Sequence, residues 1–120
     1  MTTVAQIFII VVALEHVYFL WLEMFVWETH GKRAFRGALK EEMFKPTKTM
    51  AANQGLYNGF LAAGLFWSIF INDDIWAPKV AMFFLSCVVI AGCFGALTAG
   101  RKIFFIQAVP AMIAMLLVLF

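Results

Sequence analysis

Between Val4 and Trp27 the chain is almost wholly apolar, yet it carries Glu15, His16 and Glu23. A charged carboxylate near the centre of a membrane span costs roughly 2.5–3.5 kcal/mol, so such groups persist only with a partner or a function. Whatever this chain folds into must turn one face of that segment inward. His16 and Glu23 are seven residues apart, about 20° short of two helical turns, and so share a face about 10 Å apart along the axis. His30 continues the row, at or just beyond the interface. Glu15 is rotated about 100° from His16 and serves a second neighbour or a subunit contact.

Hydrophobic residues make up 64% of the chain and charged residues 13%, which excludes an ordinary soluble domain and points to an integral membrane protein. Four apolar stretches, 4–27, 49–71, 80–99 and 103–120, each approach the ~20 residues needed to cross a ~30 Å hydrocarbon core. The expected fold class is therefore all-α: a four-transmembrane-helix bundle forming one domain over residues 1–120. The N-terminus has no basic region or small-residue cleavage site, so the first span is expected to be retained. Cys87 and Cys93 lie about 120° apart on the third span, too divergent to bridge there, and are expected to pack as small residues.

The net charge of +2 says little; its placement says more. Lys32, Arg33, Arg36, Lys40, Lys45 and Lys48 lie between the first two spans, and Arg101 and Lys102 between the last two. The opposite side has Lys79 beside Asp73 and Asp74. The positive-inside rule then sets a basic cytoplasmic first loop and both termini outside, in a multi-pass protein of the cell membrane. Trp27 at one end, and Trp67 and Trp76 near the other, suit the two interfaces. Phe35, Leu39 and Met43 recur every four residues among the cations, predicting a short helix on the inner leaflet stopped by Pro46. A solvated basic loop is the alternative.

The second span opens with a polar face. Asn53 and Tyr57 form one i,i+4 pair and Gln54 and Asn58 the adjacent one, an arrangement that should be turned from lipid and make this the most enclosed helix. Gly55, Gly59 and Ala63 form a small-residue row beside it, and Gly92, Ala96 and Gly100 another on the third span; both are candidate faces for a homo-oligomer. The fourth span holds Gln107 and Pro110, and the proline should kink it.

Depth decides which helices meet. Measured from the basic end at 1.5 Å per residue, Glu23 lies roughly 6 Å deep, Asn58 roughly 13 Å and His16 roughly 16 Å. One polar pocket between the first two helices follows, with His16, Glu23 and Glu15 as acid/base groups and Asn53, Gln54, Tyr57 and Asn58 as ligand-binding groups. The rival readings are an interhelical hydrogen-bond network and a metal site. Glu15 and His16 diverge and His16 is too far from Glu23 to share an ion, so no metal is expected; a haem on His16 stays open.

These motifs carry a resemblance. Glu15-His16-x-Tyr18-Phe19-x-x-x-Glu23-Met24-Phe25, the run Ala51 to Leu65, and the late Gln107-x-x-Pro110 resemble the small membrane proteins of bacteria and fungi known as domain of unknown function 1304. The resemblance covers nearly the whole length and implies four membrane helices and no particular activity. In helix order the chain is also similar to the membrane-associated eicosanoid and glutathione metabolism superfamily, which implies trimers and lipophilic substrates. Tyr57 stands where that pattern has a glutamate, and its arginines are missing.

The expected function is an intramembrane Glu/His/Asn/Gln pocket, open to the cytoplasmic leaflet, that binds or acts on a small lipophilic or amphiphilic molecule. The expected partners are membrane lipid and a second copy of the chain, with no nucleic acid; no cofactor is identified. One alternative is a proton-coupled transporter using Glu15, which resembles the mid-membrane glutamate of the small multidrug resistance exporters. The other is a structural subunit of a membrane complex.

Overall fold

The computed structural model describes residues 1–120. The chain is all-helical, and three of its helices are long and apolar enough to cross a membrane: α1 (Thr3–Met24), α3 (Trp76–Thr98) and α4 (Arg101–Leu119). Between them lies α2 (Lys48–Phe70), equally long but diluted by its polar opening. Each helix packs on its chain neighbours and α4 closes on α1, with the α1–α2 interface the most extensive. The molecule measures 49 × 24 × 17 Å, and its long axis is close to the ~40–45 Å of a bilayer with its headgroups.

Apolar residues cover the outside as well as the core. On α1, Val4, Ile7, Val11, Leu14, Tyr18 and Trp21, and Phe25 just after its end, all lie exposed at three- and four-residue intervals, a continuous outward stripe. Such a stripe is a liability in water and the normal surface of a helix in lipid. The opposite face of α1 supplies Ile9, Val12 and Ala13 to a core completed by Leu65 of α2, Ala81, Leu85 and Val88 of α3, and Ala111 and Ala114 of α4. Small residues at these positions let the helices approach. Backbone comes nearest to backbone at Gly92, where an added Cβ would stand 2.7 Å from the backbone nitrogen of Ala108, while Gly64 leaves room for the ring of Phe84.

Helix boundaries depart from the hydropathy pattern where caps decide them. The first helix ends at Met24 rather than Trp27, and Trp27–Gly31 forms a π turn closed by the Gly31 N–H on the Val26 carbonyl. The third begins at Trp76, not at position 80. Asp73 Oδ1 accepts the N–H groups of Trp76 (2.8 Å) and Ile75 (2.9 Å), and Pro78 sits in the first turn, where its missing donor costs nothing. Lys79 interrupts the apolar run but does not break the helix, because its ammonium lies 5.0 Å from the Trp76 ring centroid.

The expected amphipathic helix between the first two spans is replaced by short pieces: a helical turn at Lys32–Ala34, a bridge between Arg36 and Leu39, and a 3₁₀ turn at Glu41–Met43. Gly37, with φ 88°, interrupts the helical path. Pro110 does not simply kink the last helix. Phe104–Ala108 widens into a π turn, with the Val109 N–H on the Phe104 carbonyl, and this takes up the distortion.

The bonds from Trp76 and Ile75, helped by Lys79, hold the Asp73 carboxyl below the ordinary aspartate value of about 3.9. A lowered folded value means that the cap stabilises the fold above the unfolded pKa and is lost as pH falls through the folded one. Asp73→Ala should therefore lower the melting temperature in detergent at neutral pH. The gap to wild type should close in acid below the aspartate range; a gap independent of pH would contradict the cap.

Candidate functional site

The polar groups of α1 go to two different neighbours. Glu23 is only 2% exposed and accepts two hydrogen bonds from α2, one from Gln54 Nε2 to Oε2 at 2.5 Å and one from Asn58 Nδ2 to Oε1 at 2.6 Å. Gln54 and Asn58 are four residues apart, about one helical turn, which puts both on one face of α2 with their side chains converging on the same carboxylate, one on each oxygen. The approach depends on Gly55. An added Cβ there would lie 2.7 Å from Met24 Cγ, 3.0 Å from Glu23 Cβ and 3.2 Å from the Leu20 carbonyl oxygen. Gly59 faces Leu20 in the same way.

His16, fully buried, belongs to another pairing. Its Nδ1 lies 2.8 Å from the Val12 carbonyl, which can only accept, so Nδ1 carries a proton and donates. Its Nε2 lies 3.1 Å from Gln107 Nε2 on α4 and, in the neutral ring, accepts from that amide. Phe19 closes the side of the ring edge-on at 5.4 Å. Both ring nitrogens are thus committed, and a group without a free nitrogen or an access path has little to offer as a general base.

The remaining expected site residues are placed apart. Glu15 is half-buried and makes no side-chain hydrogen bond or ion pair. Asn53 and Tyr57 lie on the exposed side of α2, about 100° round from Gln54 and Asn58, an angle too wide for one neighbouring helix to cover. Contrary to expectation α2 is therefore not the most enclosed helix: it buries six residues against seven on the slightly shorter α1. His30 lies exposed beyond the end of α1, its ring 5.0 Å from that of Trp21. No three His, Cys, Asp or Glu side chains converge to hold a metal. Within the chain Gly55 and Gly59 are met by α1 and Gly92 by α4, while Ala63 is exposed and Gly100 has no neighbour within 4 Å of an added Cβ.

Gln107 is the group that sequence reasoning left out of the site. Its signal was present as the one amide in an otherwise apolar span, three residues before a proline. What could not be read was its direction, which the π turn determines.

Fold and site together describe a small helical protein able to cross a membrane, with two polar nodes buried between its helices. The chain belongs to the family described as protein of unknown function (DUF1304), whose pattern matches residues 10–119 and so includes every residue of both nodes. It is similar to the uncharacterized protein YpaA of Lactococcus lactis subsp. lactis (strain IL1403), 29% identical over 117 residues covering 97% of each chain. No solved structure matches it.

Removing the acceptor between two amides is the sharpest local perturbation. Glu23→Ala leaves the Gln54 and Asn58 donors unpaired and should destabilise the fold by about 1–3 kcal/mol in reversible unfolding in bicelles. Glu23→Gln should cost much less, because one partner amide can rotate to present its oxygen. Gly55→Val should cost as much as the alanine variant through backbone collision, about 1–3 kcal/mol. A Glu23→Ala protein as stable as wild type would show that this node holds nothing together.

Proposed function

We propose that the chain is a four-span protein of the cytoplasmic membrane, both termini outside. On this reading the Glu23–Gln54–Asn58 node binds the polar end of a small lipophilic or amphiphilic molecule reached from the inner leaflet. The observation that carries the reading is the contrast between Glu23 and Gln54. The carboxylate is sealed at 2% exposure, while Gln54, which is bonded to it, stands exposed. An amide oxygen facing hydrocarbon without a donor is costly, and a ligand hydroxyl or amine N–H supplies that donor.

Counting α2 as a span rests on its 23 residues, about 34 Å of helix, and on the partner that Glu23 provides for its two amides. The orientation rests on the clustering of Lys32 to Lys48 with Arg101 and Lys102 at one end. Binding, rather than acid/base catalysis, is supported by the commitment of both His16 nitrogens. Glu15 favours a second reading as a proton carrier, since it is half-buried and free of hydrogen-bond partners.

Mass spectrometry of the protein extracted in mild detergent separates the readings. Binding predicts a co-purifying small molecule that is retained by His16→Phe and lost at least tenfold in Gln54→Leu. Transport predicts instead that lipophilic cations release protons from wild type and not from Glu15→Gln. A preparation with no bound molecule and no cation-driven proton release would remove both. Labelling of a cysteine introduced at Thr2 from outside intact cells tests the orientation, and protection there would reverse it.

A further inference from the structure

The segment joining α1 to α2 is a built lobe. Trp27 Nε1 donates to Thr47 Oγ1 at 3.1 Å, and its ring packs 4.9 Å from Phe44 and 5.3 Å from Phe35. The lobe carries an open cleft of about 550 Å³ lined by Lys32, Arg33 and Arg36, by Glu28 and Glu41, and by the buried ring of Phe44. The carboxylates are already met by lysines, Glu41 by Lys32 at 3.7 Å and Glu28 by Lys48 at 3.6 Å. Arg33 and Arg36 have no carboxylate within ion-pairing distance. The cleft shares no residue with the Glu23 node.

We propose that this cleft binds a phosphate group, presented as a phosphomonoester or phosphodiester, through Arg33 and Arg36. Two guanidinium forks suit a group with several anionic oxygens better than a single planar carboxylate. Lys32 joins them by leaving Glu41, because an exposed ion pair of that length holds it only weakly. Trp27 marks the interfacial level, so the phosphate of an anionic lipid headgroup lies within reach; a soluble phosphate ester carries the same chemistry. The volume admits a headgroup or small ester rather than a bare ion alone.

The test is native mass spectrometry of the full chain in neutral detergent, titrated separately with phosphatidylglycerol, phosphatidylcholine and glycerol 3-phosphate. Phosphatidylglycerol should bind as one molecule per chain, at least tenfold tighter than phosphatidylcholine. Arg33→Gln with Arg36→Gln should weaken it at least tenfold. Lys40→Gln with Lys45→Gln, which removes equal charge from the same segment outside the cleft, should change it less than twofold. Glu41→Gln, which removes a lining carboxylate, should tighten binding, and this gain keeps the proposal testable if the arginine variant unfolds. Glycerol 3-phosphate that binds with the same variant dependence and displaces the lipid assigns the site to a soluble ester; failure to displace assigns it to the headgroup. Equal losses in the two double variants, an unchanged affinity in Glu41→Gln, or no binding of either phosphatidylglycerol or glycerol 3-phosphate would overturn the proposal.

Discussion

Two amides one helical turn apart donate to the two oxygens of Glu23, and the packing of the basic end depends on keeping those three groups together. A buried carboxylate stripped of donors is worse than no carboxylate at all, so the contact between α1 and α2 is enforced by the cost of breaking it. Gly55 makes the contact sterically possible by letting the backbones close to the point where short side chains meet. The far half of the bundle needs no such device. There Ile9, Val12, Leu65, Leu85 and Val88 interdigitate with alanines, and dispersion between well-fitted surfaces holds the helices.

Polar groups are distributed along α1 by neighbour rather than by chemistry. Glu23 serves α2, His16 serves α4, and Glu15 serves neither. The His16–Gln107 link ties the first helix to the π turn ahead of Pro110, a place where the backbone has already left regular α geometry. A histidine held in this way stabilises an interface, which is why the proposed binding role falls to the node that Gln54 connects to the surface.

Helix existence was legible from the sequence because runs of apolar residues of spanning length have few alternatives. That polar groups of α1 meet the amides of α2 was legible from the shared depth of the two sets, but the particular pairing was not, since at 1.5 Å per residue Asn58 (roughly 13 Å) lies nearer His16 (roughly 16 Å) than Glu23 (roughly 6 Å). The partner of His16 was not. Which helix takes the imidazole depends on how the π turn aims Gln107. The segment after α1 was misread for a similar reason. The four-residue spacing of Phe35, Leu39 and Met43 looks helical in isolation, whereas Gly37 turns the chain and Trp27 gathers Phe35 and Phe44 across the lobe. Helix ends moved because caps such as Asp73 are set by side-chain hydrogen bonds that hydropathy does not register.

The central claim is that the Glu23 carboxylate is clasped by α2 amides. Solid-state NMR of the protein in lipid bilayers, with the Glu23 side-chain carboxyl ¹³C-labelled and the Asn58 side-chain amide ¹⁵N-labelled, measures this directly. Asn58 Nδ2 at 2.6 Å from Glu23 Oε1 predicts a measurable through-space carbon–nitrogen dipolar coupling between the two side chains. Absence of that coupling in the folded protein would contradict the account.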